Sequence, residues 1–236
     1  CLGSASQMRS RTNGIIDTME HIQKELRRLQ PSCTLDGELY AHGLNFQENM
    51  RLIKKVRPES FKIVYHVYDC VSDLPFADRN RLLRQMIYGA VGIELVPTFT
   101  VNNEGDMKHY HAKFLNEGYE GTIIRWGDSG YEANKRSSSL LKYKDFVDIT
   151  LPVLDVIPMA KRPDHGEFIF EWEGAKGHPE GDNILGAGMK FSHEERSHFL
   201  TNKHQYVGKT AELRFFEYSE TGVPRFPVCV GLRLDK

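Results

Sequence analysis

The sequence has no run of about 18 consecutive apolar residues, the length that a membrane-spanning helix requires. It also lacks the basic segment followed by an apolar segment that marks a secretory signal peptide. Cysteine is scarce: Cys1, Cys33, Cys70 and Cys229 never form a C-x-x-C pair, so neither a zinc site nor a disulfide framework is indicated. We therefore expect no membrane segment, no secretion and a reducing, intracellular setting.

An excess of charge of one sign is missing as well, because 31 Lys and Arg residues stand against 32 Asp and Glu residues. This balance argues against a protein that coats nucleic acid indiscriminately, but it allows a local basic groove. The stretch 134–162 carries six basic and three acidic side chains. Lys135 and Arg136 within it fit either a solvated loop or a DNA groove, where phosphate contacts supply affinity without sequence specificity.

The first part of the chain alternates helix-like and strand-like segments irregularly, which predicts an α+β domain with antiparallel sheets. Apolar residues at steps of three and four predict helices over residues 15–29, 78–88 and 106–115. Short runs rich in β-branched and aromatic residues predict strands over residues 34–41, 61–71, 93–101, 121–126 and 139–143.

After Asp148 the pattern changes to strands with a single helix, which predicts a small β-barrel such as an OB-fold. The predicted strands cover residues 149–157, 167–172, 184–191, 210–218 and 228–234. The helix is predicted over residues 192–203, because Ser192 and Glu195 stand at capping-box spacing. We place the domain boundary within 146–150, giving domains 1–147 and 148–236.

Three short strings combine residues suited to phosphate chemistry. In Leu35–Leu39, Asp36 and Glu38 flank a glycine in a predicted strand, although an Asp-Gly pair alone usually marks a turn. Glu120 precedes a glycine that opens an apolar strand, and Arg125 closes that strand.

The third string is a strand that carries two lysines. Period-two alternation sends Lys142 and Lys144 to one face, with Leu141 and Tyr143 on the other. Two neighbouring ammonium groups repel each other unless an anion lies between them, and phosphate is a suitable anion.

In their order and spacing these strings resemble the ATP-dependent DNA ligases of the covalent nucleotidyltransferase superfamily, particularly the small phage forms. The blocks that carry the resemblance are SRTNG at 10–14, LDGEL at 35–39, HVYD at 66–69, FADRNRLL at 76–83, EGTIIR at 120–125, LKYK at 141–144 and RLDK at 233–236. They extend over essentially the whole chain. The resemblance implies an adenylylation domain followed by an OB-fold, the use of ATP with Mg²⁺ or Mn²⁺, and nicked duplex DNA as substrate.

The resemblance also implies roles for individual residues. Glu38 and Glu120 would hold the divalent metal or the ribose hydroxyls, and Lys142 and Lys144 would contact the α-phosphate. Arg11 would bind ribose or the phosphate at the nick.

Further roles follow for the rest of the pocket and for the last block. Tyr68 would stack on adenine, with a place in the core as the alternative. Arg125 would line the nucleotide side of the pocket, unless it pairs with a surface acid. Arg233, Asp235 and Lys236 would form the catalytic last block, in which Arg233 and Lys236 orient the pyrophosphate of ATP.

One block of the family is missing, namely the Lys-x-Asp-Gly-x-Arg string that contains the lysine nucleophile. We expect that a segment with this block lies elsewhere, either because the chain is trimmed or because the gene is split, for example by an intein. The protein would then act as a monomer joined by an N-terminal ligase fragment. The alternatives are an RNA ligase, a capping-type nucleotidyltransferase, and a degenerate module that only binds DNA.

Overall fold

The computed structural model describes residues 1–133, 135 and 137–233, and it divides the chain into two compact units, Cys1–Tyr143 and Lys144–Lys236. The elements of the first unit are, in chain order, β1 (Leu2–Gly3), β2 (Met8–Arg9), β3 (Ile15–Ile16), α1 (Glu20–Leu29), β4 (Leu35–Tyr40), α2 (Phe46–Lys54), a 3-10 helix (Pro58–Lys62), β5 (Val64–Cys70), α3 (Phe76–Met86), β6 (Ile93–Leu95), α4 (Glu104–Asn116), β7 (Thr122–Arg125) and β8 (Leu140–Tyr143).

The first unit contains a six-stranded sheet in the order β3-β2-β1-β4-β5-β6 and a two-stranded sheet, β7-β8. The strand pairs are antiparallel except β5 and β6, which run parallel and are connected through α3. The core lies on one face of the large sheet, where Ile22 and Leu26 of α1 pack with Tyr65 and Val67 of β5 and Leu83 of α3. The opposite face of β4 and β5 is left for polar side chains.

The first predicted helix begins later than the sequence pattern indicates. Its apolar spacing starts at Ile15, but the helix starts at Glu20, because Ile15 and Ile16 pair with Arg9 and Met8 in a hairpin. Ile15 is accordingly 65% exposed. Cross-strand hydrogen bonding, which helical spacing cannot reveal, decides the conformation there.

Other boundaries differ for local reasons. The predicted strand 61–71 begins only at Val64, after the 3-10 helix, and the predicted strand 93–101 ends at Leu95, where its pairing with β5 stops. Helix α2 was not predicted, although Asn45 and Glu48 form its capping box. The other two predicted helices are present as α3 and α4.

The described part of the second unit consists of two small sheets, one α-helix and a short 3-10 helix. Its elements are β9 (Val147–Pro152), β10 (Asp155–Met159), β11 (Arg162–Glu171), β12 (Ile184–Gly186), β13 (Gly188–Met189), α5 (His193–Thr201), a 3-10 helix (Lys203–Gln205), β14 (Thr210–Phe215) and β15 (Val228–Arg233). They form sheets β10-β11-β12 and β13-β15-β14-β9. The predicted strand 149–157 is two strands, since β9 pairs with β14 and β10 pairs with β11, and the predicted strand 184–191 is likewise divided.

The helix of the second unit confirms its predicted start. The Ser192 hydroxyl accepts from the Glu195 amide and the Glu195 carboxylate accepts from the Ser192 amide. Phe199 of this helix packs on Phe168 and Leu213 in a core separate from that of the first unit. No helix in the described part of the chain is long and apolar enough to cross a membrane.

Candidate active site

The strand β4 presents Asp36 and Glu38 on the face of the large sheet opposite the core. Glu38 lies directly across from His66 of β5. The register shifts between Asp36 and Gly37, which pair with Asp69 and Val67, so that Tyr68 is the extra residue of a bulge. The bulge and the alternation of the strands bring Glu38, His66 and Tyr68 to the same region of the sheet.

Gly37 is required by crowding at this bulge. A Cβ at position 37 would collide with the His66 carbonyl oxygen, and it would lie 2.7 Å from the Tyr65 ring. Both neighbours are held in the sheet or the core, so neither can move away at small cost.

We expect Gly37→Ala to destabilise the first unit by about 1–3 kcal/mol, the usual cost of overpacking. Urea unfolding followed by fluorescence would measure the loss. Gly188→Ala is the matched control, because its Cβ would meet only atoms at 3.6 Å in β13 of the second unit. A loss no larger than that of the control would show that the strands can separate around the new methyl group.

Asp36 is the acceptor of two phenol groups. The Tyr131 hydroxyl donates to Oδ2 at 2.8 Å, and the Tyr68 hydroxyl donates to Oδ1 at 3.3 Å. Burial first, and then the negative charge of Asp36, raise the pKa of Tyr68. Burial and the hydrogen bond to Asp36 raise the pKa of Tyr131. Both phenols therefore remain protonated donors at neutral pH.

Further aromatic side chains lie beside Glu38. The rings of Tyr40 and His66 have centroids 4.1 Å apart. Burial is the main cause that raises the pKa of Tyr40 to about 12, and burial lowers the pKa of His66 despite the nearby Glu94 carboxylate. A neutral imidazole and a neutral phenol thus flank the carboxylate of Glu38.

A buried ion cluster connects the two sheets. Asp69 of β5 is 1% exposed and accepts two hydrogen bonds from Arg79 of α3, at 2.7 and 3.1 Å. Arg125, the last residue of β7, donates at 2.5 Å to Oδ2 of the same carboxylate, the oxygen that also accepts the longer of the two bonds from Arg79. The Arg125 guanidinium also lies over the Phe76 ring, 4.3 Å from its centroid.

This cluster decides between the two interpretations of Arg125 only in part. Arg125 does pair with an acid, but that acid is buried Asp69 and not a surface carboxylate. The ion pair fixes the end of β7 against β5. A contact of Arg125 with nucleotide stays a prediction.

The small sheet has one packed face and one face directed toward Asp69. His111 of α4 contacts the packed face, bonding the Thr122 hydroxyl at 2.9 Å and meeting the Tyr143 ring edge-on. Lys142 pairs with Ile123, and alternation puts both on the other face together with Arg125. The exposed ammonium group of Lys142 therefore shares the face whose Arg125 reaches Asp69 of the large sheet.

Lys144 does not continue this face. Strand β8 ends at Tyr143, so the predicted alternation of Lys142 and Lys144 within one strand is wrong. Lys144 belongs to the second unit, where its ammonium lies 5.1 Å from the centroid of the Phe216 ring. The chain changes its pairing here, because β9 of the second unit starts at Val147.

The remaining predicted residues are spread over the chain. Arg11 is exposed in the turn closed by Ser10 and Gly14, and Glu120 is exposed just before β7. Arg233 ends β15 and donates to Glu212 at 2.9 Å. Asp235 and Lys236 lie outside the described residues, and so does Arg136.

Glu38 and Glu120 are the two carboxylates predicted to hold a metal. Within 1–133, 135 and 137–233, no three His, Cys, Asp or Glu side chains are grouped so that they could hold an ion. Mg²⁺, however, keeps several waters and uses only one or two protein carboxylates beside substrate phosphates. Either exposed carboxylate is therefore a suitable donor for such an ion, and the ligation stays a prediction.

Sequence reasoning missed Tyr131 and the pairing of Asp69 with Arg79. Tyr131 lies in an irregular segment with no periodicity, and Asp69 is an acid that strand alternation places among core residues. The available signals are the aromatic-Asp string at Tyr68 and Asp69 and the block FADRNRLL that contains Arg79, and neither of them names a partner.

Comparisons with known proteins match both units of the chain to domains of DNA ligases. The model of the ATP-dependent DNA ligase domain matches residues 5–144, and that of the DNA ligase OB-like domain matches residues 165–233. A DNA ligase of African swine fever virus is 28% identical over 246 residues, which cover 95% of this chain and 57% of the relative. The DNA ligase of enterobacteria phage T4 is 32% identical over 172 residues, which cover 69% of this chain and 35% of the relative.

Solved structures share the fold. A structure from work on Lig E DNA ligases superposes with a TM-score of 0.73 at 21% identity, covering 98% of this chain and 88% of the other. The structure of the Chlorella virus DNA ligase-adenylate superposes with a TM-score of 0.52 at 24% identity, covering 98% of this chain and 88% of the other. These findings confirm the predicted order of an adenylylation domain and an OB-like domain. With a family model matching more than half of its residues, the chain belongs to the ATP-dependent DNA ligases of the nucleotidyltransferase superfamily.

Proposed function

We propose that this chain carries the nucleotide pocket and the OB-like domain of a ligase that seals nicks in duplex DNA through enzyme-AMP and DNA-adenylate intermediates. The chain spans 57% and 35% of the viral and T4 relatives, so the activity of a whole ligase is part of the proposal. The observation that carries it is the arrangement of the first unit. The small sheet β7-β8, which presents Lys142, is bound through Arg125 of β7 to Asp69 of β5, the strand that presents Tyr68 beside Asp36 and Glu38.

Each step of ligation moves negative charge between oxygens bound to phosphorus, so positioned cations supply much of the catalysis. The exposed ammonium of Lys142 is suited to the α-phosphate oxygens. Tyr68 would stack on adenine, and Glu38 would accept from a ribose hydroxyl. A divalent ion at Glu38 or Glu120 would neutralise charge on the phosphate oxygens.

The roles of the other predicted residues are proposed in the same way. Lys144 would contact the α-phosphate, and Arg11 would bind ribose or the phosphate at the nick. Arg233 and Lys236 would orient the pyrophosphate of ATP. Arg233 first has to leave Glu212, and because that ion pair is about half exposed, breaking it costs only about 0–1 kcal/mol.

The chain is also proposed to need a further segment for its first step. No Lys-x-Asp-Gly-x-Arg string is present, so self-adenylylation lacks its nucleophile. The last step differs, because there the 3′-hydroxyl attacks the phosphorus of the DNA-adenylate and AMP leaves. The nucleophilic lysine is not a reactant in that step.

This difference predicts opposite results for two assays of the same chain. Incubation with labelled ATP and Mg²⁺ should leave no labelled band after denaturing electrophoresis. A nick whose 5′-phosphate is already adenylylated should be sealed in the presence of Mg²⁺, with release of AMP. An N-terminal piece carrying the missing block should restore labelling only when the two chains associate.

Each alternative has its own outcome in these assays. Stable labelling of the chain alone would show that another residue serves as the nucleophile. Binding of the nick without sealing would identify a module that only binds DNA. Sealing of an adenylylated RNA nick in preference to a DNA nick would identify an RNA ligase, and transfer of a nucleotide to an RNA 5′ end would identify a capping-type enzyme.

A further inference from the structure

The segment 127–131, here called the strap, follows β7 of the small sheet and contacts the large sheet near the end of β5. Its Ser129 carbonyl oxygen accepts from Arg79 at 3.1 Å, and the Tyr131 amide donates to the Ser72 carbonyl at 2.9 Å. Gly130 packs so closely on Asp73 that a Cβ there would lie 2.9 Å from its Cα. The strap is therefore held at several points before its side chains are considered.

The Tyr131 side chain is the part of the strap that reaches the candidate pocket. Its hydroxyl donates to Asp36 at 2.8 Å, which is the usual distance for a hydroxyl hydrogen bond. The second oxygen of Asp36 accepts from Tyr68 at 3.3 Å, a longer and weaker bond. The Asp36 carboxylate is therefore held mainly by its hydrogen bond from Tyr131, and its weaker hydrogen bond from Tyr68 restrains the Tyr68 side chain.

The phenol of Tyr68 needs such a restraint, because its ring lies on a bulge and not in regular pairing. The ring is half-buried on the side of the sheet away from the core. A ring that must stack on a base gains affinity when its orientation is fixed before binding. The hydrogen bond from the Tyr68 hydroxyl to Asp36 can fix the orientation of the ring.

We propose that Tyr131 is a positioning residue of the nucleotide pocket, which acts through Asp36 to hold the Tyr68 ring in the orientation that stacks on the adenine of ATP. The proposal deepens the proposed function and rests on it, since Tyr68 is the stacking residue only if this pocket binds ATP. It assigns to Tyr131 a contact with another side chain and none with the nucleotide.

The test compares two ligands that differ only in the base. The affinity of the full chain for ATP and for ribose 5-triphosphate is measured by calorimetry. We expect Tyr131→Phe to lower the affinity for ATP about tenfold, within the range that loss of a base-stacking contact produces. The affinity for ribose 5-triphosphate should not change, because that ligand has no base to stack.

Two further variants make the test sharper. Tyr68→Phe keeps the ring but removes its hydrogen bond to Asp36, so it should lose the same ATP affinity as Tyr131→Phe. The double variant should lose no more ATP affinity than either single variant. Tyr88→Phe is the control, since Tyr88 is 87% exposed and lies after α3. Thermal unfolding of each variant establishes that it is folded.

The possible outcomes distinguish a failure of the role of Tyr131 from a failure of the proposed function. Wild-type ATP affinity in Tyr131→Phe would overturn the inference while the proposed function stands. Equal losses for ATP and ribose 5-triphosphate would also overturn it, since they indicate general damage to the pocket. A wild-type chain that binds neither ligand would contradict the nucleotide pocket itself, and the role of Tyr131 with it.

Discussion

Replacement of Asp69 by alanine should destabilise the first unit by about 3–5 kcal/mol, because it leaves the guanidinium of Arg79 buried without its carboxylate. Arg79 is 2% exposed, and both of its contacts with Asp69 are lost in the variant. The link from β5 to Arg125 at the end of β7 is lost as well. The two sheets should consequently loosen together.

The two tryptophans allow this loss to be assigned to one unit, since Trp126 lies in the first unit and Trp172 in the second. In a Trp172→Phe background, urea unfolding followed by tryptophan fluorescence reports the first unit alone. Asp78→Ala is the matched control, because its partner Arg81 is exposed and such pairs contribute about 0–1 kcal/mol. Equal losses of unfolding free energy in the two variants would show that the Asp69 cluster stabilises the first unit no more than a surface ion pair does.

A second variant guards against complete unfolding. Asp69→Ala combined with Arg79→Met replaces the buried charge by an apolar side chain. It should regain part of the stability, since removing both partners of a buried pair costs less than removing one. Failure to regain any stability would mean that the pair matters mainly through Arg125.

Lys142→Ala should slow the sealing of a pre-adenylylated nick by about 10²–10³-fold, the usual effect of removing one group that stabilises charge in the transition state. Folding should be unaffected, because the side chain is exposed on β8. Single-turnover rates at saturating enzyme separate this effect from weaker DNA binding.

Lys24→Ala is the control for this rate. Lys24 is also an exposed lysine, but it lies on α1, which packs against the opposite face of the large sheet. If Lys142→Ala changed only the concentration of enzyme needed for half-saturation, Lys142 would be a DNA contact and would have no part in the chemical step.

The parts of this structure that could be predicted are those fixed by short-range patterns. Glu38, Glu120 and Lys142 stand in strings whose order along the chain is informative, and the Ser192 capping box is complete within four residues. The helix at Glu20 was placed too early, because a hairpin with β2 overrides the helical spacing. The alternation of Lys142 and Lys144 was wrong because the strand ends between them.

The rest depends on contacts between distant parts of the chain. Asp69 meets Arg125, which is 56 positions away, and Asp36 meets Tyr131, which is 95 positions away. Neither pair has a periodicity, since each arises only when the small sheet packs near the large one. Such residues look like ordinary loop or strand residues until the fold brings them together.

The crowding around Gly37 has a consequence for the history of such sequences. The glycine is held by the backbone of β5 and the Tyr65 ring, whereas Glu38 beside it is exposed and meets no such steric demand. If Glu38 has the proposed role at the metal or the ribose, selection for folding acts on Gly37 and selection for catalysis acts on Glu38. A descendant that lost catalysis would then keep the glycine and accept substitutions of the glutamate, so the two neighbouring positions report on folding and on activity separately.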